Sequence, residues 1–272
     1  MQKIARNTLF ITMTIIISIN LVLLTAKGEK EQTYIPVLLY HNITENTDGM
    51  DIIVNITPRR FREHMVALKS AGYNTITLDD YYEHIQNGKS LPEKPVIITF
   101  DDGYLSNYEF AYPILQELEM KATIFIVTDS VGPGGKVSYP HFTWEQARQM
   151  QQSGVIDIQS HTHTHRDVTL QNREETVREI RLSKYLIESN LNKECSYLAY
   201  PYGAYNNISI RLASEAGYKM MLGLVGRETD GQNNPDRVLK RITVWGDKGG
   251  EDFLRFLEDG VKKQNPADAG SE

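Results

Sequence analysis

The stretch VIITFDDG (residues 96–103) decides the fold, because an apolar run ends abruptly in two carboxylates and a glycine. A run without polar alternation is typical of a strand that is buried on both faces, as in a parallel sheet. The stretch IPVLLY (residues 35–40) has the same character and ends at His41. In parallel α/β folds the active site forms at the carboxyl ends of the strands. The sequence therefore predicts a parallel sheet with titratable groups at its carboxyl edge.

Amphipathic helices alternate with short apolar runs along most of the chain. Thr57-Pro58 predicts the start of a helix and Gly72 its end, before a strand over Asn74–Leu78. Further strands are predicted at residues 122–127, 155–160, 196–200, 219–224 and 238–244. This order of about eight strands with intervening helices indicates βα units. Because no glycine-rich dinucleotide or phosphate fingerprint follows any strand, a (β/α) barrel is favoured over an open, doubly wound sheet.

The two ends of the chain differ from the rest in composition. Lys3 and Arg6 precede an apolar stretch over residues 8–26, so residues 1–27 are predicted to be a signal peptide or a membrane anchor. A polar tether over 28–34, one domain over 35–263 and a disordered tail over 264–272 complete the predicted organisation. We therefore expect an extracytoplasmic domain, which is either secreted or held at the outer face of the membrane by an uncleaved anchor.

The charge balance excludes one class of partner. The 272 residues include 29 basic and 35 acidic side chains, and without residues 1–27 the domain carries 26 basic against 35 acidic residues. This negative domain has no basic stripe, so nucleic acid is excluded as a partner. Cys195 is the one cysteine, so the domain, which we expect to be a monomer, has no intramolecular disulfide.

Two adjacent carboxylates, Asp101 and Asp102, follow the strand at 96–100. Because successive side chains of a strand point to opposite sides, we expect one of them to bind a cation while its neighbour faces something else. Keeping both charged at a sheet edge is costly without a cation nearby. The alternative is that Asp102 caps a helix over Tyr104–Leu118.

The run His161-Thr162-His163-Thr164-His165 follows the strand at 155–160. A continued strand would place all three histidines on one face, whereas a turn would bring His161 and His165 together and direct His163 away. Either geometry, together with Asp102, predicts an open site of nitrogen and oxygen ligands for one divalent metal ion. Zinc suits this set, and cobalt, nickel or iron(II) would also fit. The alternative is a solvated run that binds nothing.

Two further groups reach the same predicted edge. Asp101, facing the cavity without binding the metal, is the natural general base, and His41, arriving from another strand, is the natural general acid. An ordinary strand-end histidine is the alternative interpretation of His41. The remaining histidines have no partners in the sequence and are predicted to be structural or surface residues: His64, His84 and His141.

These motifs resemble those of the polysaccharide deacetylase family, also called the NodB-homology domain or carbohydrate esterase family 4. TFDDG (99–103) matches its first motif, HTHTH (161–165) its H-S/T-x-x-H motif, and YPYG (200–203) resembles its R-x-P-Y-G motif. The resemblance implies a distorted (β/α) barrel, usually of seven parallel strands, and hydrolysis of acetyl groups on sugars. It also implies that His161 and His165, but not His163, bind the metal.

The sequence departs from the family pattern in two places. The arginine of the third motif is replaced by Ala199, and Arg241 is a candidate for the missing brace on the catalytic aspartate. The family's late leucine-x-histidine motif is absent, since no histidine follows His165, and VLLYH (37–41) resembles its replacement. This permuted arrangement resembles the subgroup that deacetylates exported poly-β-1,6-N-acetylglucosamine.

The resemblance implies an acetylated glycan as the substrate. The negative charge that develops on the acetyl oxygen would be stabilised by the metal and by the backbone N–H of Tyr202, which follows Pro201. Tyr104, Tyr202 and Trp245 are candidate stacking surfaces for the sugar rings, or core residues. Peptidoglycan, chitin oligomers and acetylated xylan are alternative substrates. A non-catalytic carbohydrate-binding surface protein and a hydrolase of another carbon–nitrogen bond are alternative functions.

Overall fold

A computed structural model describes residues 34–45, 51–132, 139–225 and 238–264. The predicted signal or anchor (1–27), the tether up to residue 33 and the tail from residue 265 lie outside the described residues, and the last helix includes Gln264. Within these ranges, no helix is both long enough and apolar enough to cross a bilayer.

The strands of the described chain are short and mostly buried. In chain order they are β1 Val37–Tyr40, β2 Asn42–Ile43, β3 Asn55–Ile56, β4 Asn74–Thr75, β5 Pro95–Phe100, β6 Ala122–Ile126, β7 Ile156–Ser160, β8 Tyr197–Ala199, β9 Met220–Leu224 and β10 Val238–Thr243. Most positions of β1, β5 and β6 are buried irrespective of parity, as expected for parallel strands that are covered on both faces.

Seven of these strands close into a barrel. The parallel order is β1, β5, β6, β7, β8, β9 and β10, and β10 pairs with β1 again. Leu38 of β1 lies opposite both Ile98 of β5 and Ile242 of β10, which completes the ring. The prediction of a distorted (β/α) barrel of about seven parallel strands is thus confirmed. The eighth predicted strand corresponds to β4, which pairs only with β5 and lies outside the ring.

Helices connect the strands of the barrel. They are α1 Pro58–Ser70, α2 Leu78–Asn87, α3 Tyr112–Glu117, α4 Trp144–Gln152, α5 Arg173–Leu191, α6 Asn207–Glu215 and α7 Gly250–Gln264. A π-helical turn, Asn107–Ala111, precedes α3, and single 3₁₀ turns occupy Thr128–Ser130 and Pro201–Gly203. Apolar side chains from five barrel strands pack into one core cluster, which includes Val37, Ile97, Phe125, Tyr197 and Leu222.

The predicted strand over Asn74–Leu78 is wrong at its carboxyl end, because Leu78 begins α2. The Thr77 side chain accepts a hydrogen bond from the Asp80 backbone N–H, and the Asp80 carboxylate accepts one from the Thr77 N–H. This capping box starts the helix, and Gly88 ends it in the left-handed conformation. The motif T-x-x-D at 77–80 was the sequence signal for this helix.

Candidate active site

The carboxylates of Asp101 and Asp102 both approach His161. The distances from His161 Nε2 are 3.5 Å to Asp101 Oδ2 and 3.7 Å to Asp102 Oδ1. The expectation that the two carboxylates point to opposite sides is wrong, because Asp102 has left the strand conformation, with a φ of 72°. The helix-cap alternative for Asp102 is also wrong, since helical structure begins at Leu105 and the Leu105 N–H donates to the Pro140 carbonyl rather than to Asp102.

The histidine run forms a turn. Thr162 and His165 have φ values of 68° and 59°, which end the extended conformation of β7. The rings of His161 and His165 lie 4.9 Å apart, centroid to centroid. His163 is directed elsewhere, with its Nδ1 2.9 Å from the Thr128 hydroxyl. The three-histidine face therefore does not form.

One ligand atom from each of Asp102, His161 and His165 lies within 4.8 Å of the others. His161 Nδ1 lies 2.8 Å from the Ala199 carbonyl oxygen, and because that oxygen can only accept, Nδ1 carries the proton. Nε2 therefore directs its lone pair at the carboxylates, and burial lowers the pKa of His161 to about 4, so the ring is neutral near pH 7. Two imidazoles and one carboxylate that converge in this way fit a divalent cation.

Arg241 of β10 forms a buried, bidentate ion pair with Asp101. Its Nη1 and Nη2 donate to Asp101 Oδ1 and Oδ2 at 2.6 and 2.8 Å. Burial by itself would raise the pKa of Asp101, but the guanidinium of Arg241, and to a smaller degree His161 and His41, hold that pKa well below its usual range. Asp101 is therefore ionised at every pH relevant to a folded enzyme.

The two adjacent carboxylates thus have different counter-charges. Asp101 is neutralised by Arg241, whereas the ion-pair partners of Asp102 among the described residues are the histidines His161 and His165. The ring of His161, whose pKa burial lowers to about 4, does not balance the negative charge of Asp102 near pH 7. Asp102 is consequently the carboxylate whose charge a bound cation would compensate.

His41 directly follows β1, which pairs with both β5 and β10. β5 precedes Asp101, and β10 contains Arg241. The backbone carbonyl of His41 accepts a hydrogen bond from Asn107 Nδ2 at 2.8 Å. Its Nδ1 is buried and has no hydrogen-bond partner in the described part of the chain. Barrel closure therefore brings His41, Asp101 and Arg241 to one rim.

Aromatic rings surround this rim. The Tyr202 ring is 53% exposed and lies 4.8 Å from the ring of His165, and Pro201 beside it is buried. On the other side lies Tyr104, and burial followed by the charge of Asp102 raises the pKa of Tyr104 far above its usual value.

His141, predicted as a structural or surface residue, also reaches this wall. Its ring lies 5.0 Å from that of Tyr104, to which it is joined by an isolated antiparallel bridge. No spacing in the sequence signals this contact. His64 is fully buried, His84 bonds the Lys89 carbonyl, and Trp245 is 44% exposed.

Backbone strain is concentrated at the same rim. Of the seven non-glycine residues with positive φ in the described chain, four belong to the site or its turns: Asp102, Thr162, His165 and Tyr202. Such conformations cost on the order of 1–3 kcal/mol each and persist where the surrounding structure imposes them. Strain of this kind is typical of active sites.

The chain is similar in sequence to proteins of one known family. The family model of the polysaccharide deacetylases matches residues 88–221. The Bacillus subtilis (strain 168) protein YxkH, named for the same family, is 34% identical over 228 residues, which are 82% of this chain and 76% of YxkH. The poly-β-1,6-N-acetyl-D-glucosamine N-deacetylase of Staphylococcus aureus (strain MRSA252) is 26% identical over 201 residues, which are 71% of this chain and 69% of that protein.

A solved structure shares the fold. The Streptococcus pyogenes deacetylase PplD, in complex with acetate, superposes with a TM-score of 0.72 at 26% identity and covers 82% of this chain and 97% of PplD. The matched region contains the TFDDG and histidine motifs and the YPYG turn. On these grounds the chain belongs to the polysaccharide deacetylase family and is a hydrolase that removes acetyl groups from a polysaccharide.

Proposed function

We propose that this chain is a metal-dependent N-deacetylase of an exported polysaccharide similar to poly-N-acetylglucosamine. The observation that carries the proposal is the convergence of Asp102, His161 and His165 beside an Asp101 that Arg241 keeps ionised. The likeness to the S. aureus enzyme, and the histidine placed after the first barrel strand rather than late in the chain, support this substrate class.

In this proposal Asp102 Oδ, His161 Nε2 and His165 Nε2 hold one divalent metal ion. Zinc suits two imidazoles and one carboxylate, and cobalt, nickel or iron(II) are also compatible. When bound, the ion polarises the acetamide carbonyl and makes water more acidic. Tyr104 lies beside Asp102, whose charge raises the pKa of the Tyr104 hydroxyl, and in this proposal it orients that carboxylate.

Two residues move protons in the proposed reaction. Asp101 accepts a proton from water as the water oxygen attacks the acetamide carbon, and the Tyr202 N–H donates to the oxygen on which negative charge develops. His41 then gives a proton to the departing sugar nitrogen as the carbon–nitrogen bond breaks, and acetate and a free amine result. Arg241 keeps Asp101 ionised and correctly oriented between turnovers.

The proposed site of action is outside the cytoplasmic membrane. Residues 1–27 would export or anchor the chain, residues 28–34 would tether the domain over 35–263, and the tail would follow it. An acetylated, exported glycan is then accessible to the rim that carries His41 and Tyr202.

Acetate release from a panel of glycans tests this proposal. We expect release from poly-β-1,6-N-acetylglucosamine oligomers to exceed release from chitin oligomers, peptidoglycan and acetylated xylan. A chelator should abolish release, and added zinc should restore it. Release that a chelator does not affect would contradict the metal, preference for another glycan would contradict the substrate, and metal binding without release from any glycan would favour a non-catalytic binding protein.

A further inference from the structure

Glu179, in the middle of α5, is a buried carboxylate directed at the histidine turn. It is 6% exposed. Its Oε2 accepts hydrogen bonds from the backbone N–H groups of His163 and Thr164 at 3.0 and 2.7 Å, and its Oε1 accepts one from the Thr164 hydroxyl at 2.6 Å. Three donors from two adjacent residues therefore converge on one carboxylate.

The three hydrogen-bond donors of the histidine turn offset the free-energy cost of burying the Glu179 carboxylate. Within the described chain, no lysine or arginine lies within ion-pair distance of Glu179. An isolated buried carboxylate is strongly unfavourable, whereas hydrogen bonds to an ionised acceptor are among the strongest in proteins. Glu179 and the turn are therefore energetically dependent on each other.

The opposite side of the turn is held as well. The Asp129 N–H donates to the His163 carbonyl at 2.9 Å, and the Thr128 N–H donates to the Thr162 carbonyl at 3.3 Å. The turn thus has its N–H groups bound by α5 and its carbonyls bound by the 3₁₀ turn after β6. Between these supports Thr162 adopts a left-handed conformation that an unsupported chain would avoid.

We propose that Glu179 is a positioning residue that sets the spacing of His161 and His165 for the metal ion. It acts through the backbone of the turn and does not itself reach the ion. Without it, the turn relaxes towards the extended conformation, which would separate the imidazoles of His161 and His165. This inference rests on the proposed function, because it assumes that these histidines bind a metal.

Zinc affinity, measured by competition with a chromophoric chelator, tests the inference together with the visible spectrum of the cobalt-substituted protein. For Glu179→Ala we expect an affinity loss of about 10- to 100-fold, the range usual for residues that orient metal ligands, and an altered cobalt spectrum. Glu179→Gln should remain within a few-fold of the parent, because its amide oxygen can accept both N–H groups and its amide N–H can donate to Thr164.

Glu174→Ala is the matched control, since Glu174 is exposed on the same helix and the substitution removes the same charge. It should bind zinc as the parent does. If Glu179→Ala binds zinc as tightly as the parent with an unchanged cobalt spectrum, the inference is overturned. Equal losses for the Ala and Gln variants would also overturn it, because the hydrogen-bond pattern would then not be the cause.

Thr164→Val provides a second test if Glu179→Ala does not fold. It removes one of the three donors, so we expect a few-fold loss of zinc affinity and a shifted cobalt spectrum, and no change in either would count against Glu179. Failure of the parent protein itself to bind metal would overturn the proposed function and the inference together. Tight binding by the parent with no effect of either substitution would overturn the inference alone.

Discussion

At the scale of single residues, Asp101 and Asp102 are chemically identical neighbours whose surroundings differ. Asp101 is 3% exposed and bound by both Nη atoms of Arg241, whereas Asp102 faces the imidazoles of His161 and His165. The environment, rather than the residue type, therefore separates a candidate proton acceptor from a candidate metal ligand.

The first prediction concerns this separation. Asp101→Asn should lower kcat by about 10²- to 10⁴-fold, because the amide cannot accept the proton from water, while the zinc content stays near one per chain. His165→Ala should instead lose the zinc. Steady-state kinetics and metal analysis of the two purified variants check this, and near-normal turnover of Asp101→Asn would show that another group is the base.

The second prediction concerns the buried ion pair. Arg241→Met leaves the Asp101 carboxylate buried and unpaired, so we expect a loss of about 3–5 kcal/mol in the free energy of unfolding. The pKa of Asp101 should also rise, because burial then acts without the opposing guanidinium, so activity should be lost at a higher acidic pH than in the parent. Urea unfolding and a pH–rate profile measure these two effects.

The control for this variant is Arg255→Met. Arg255 pairs with Asp252 on the surface, and both side chains are mostly exposed. Exposed pairs contribute about 0–1 kcal/mol, so this substitution should change little. Similar losses for the two variants would contradict the structural importance of the Arg241 pair.

At the scale of elements, His64 joins α1, β1 and α7. Its ring stacks on Phe253 with a centroid distance of 4.1 Å, and its Nε2 donates to the Lys248 carbonyl at 2.9 Å. Nδ1 is therefore unprotonated and accepts from the Tyr40 hydroxyl at 3.2 Å. Burial lowers the pKa of His64 to about 4, so the neutral ring is the form that the packing requires.

The third prediction follows from this pKa. Between pH 6.5 and 4 the unfolded chain binds a proton at His64 and the folded chain does not, so stability falls as the pH falls through this window. The full effect is about 3 kcal/mol. The measurement is the free energy of unfolding of the metal-free protein at several pH values. His64→Gln should lack this part of the pH dependence that the parent shows.

His84→Gln is the corresponding control, because His84 lies near the surface, with its Nδ1 2.7 Å from the Lys89 carbonyl oxygen. The slope of this variant shows how much of any change comes from replacing a histidine as such, and it is compared with the slopes of the parent and of His64→Gln. An unchanged slope for His64→Gln would mean that the buried ring does not remain neutral in the folded state.

At the scale of the whole molecule, closure of the barrel assembles the site. β1 lies between β5 and β10, so the first barrel strand joins the strands that carry Asp101 and Arg241. Those two residues are 140 positions apart in the chain. Because the proposed ligands and proton-transfer groups follow or lie in several strands, their arrangement exists only in the closed fold.

The fourth prediction uses this dependence. A metal that binds the folded chain and not the unfolded one stabilises it by about 2.7 kcal/mol at one hundred times its Kd. Zinc should therefore raise the melting temperature of the parent protein and of Asp101→Asn, and leave that of His165→Ala unchanged. Equal shifts in all three proteins would indicate that zinc binds outside the proposed centre.

Much of the fold and the convergence of several candidate site residues could be predicted because their signals are local. The continuously apolar strands and their abrupt ends mark parallel strands, and Asp101, Asp102, His161 and His165 follow those ends directly. The short helix α2 was also encoded locally, in Thr77 and Asp80, although the apolar character of the preceding residues favoured a longer strand.

The sequence by itself determined the barrel class and the residue types at its rim, since hydrophobic runs and strand ends are properties of neighbouring positions. Only the tertiary structure decided that Arg241 pairs with Asp101 and that His163 contacts Thr128. The same is true of the hydrogen bonds that Glu179 accepts from the histidine turn. These contacts depend on the closure of the barrel and on left-handed backbone at Asp102 and Thr162. Neither leaves a periodic signal in the chain, because each is imposed by packing between distant segments.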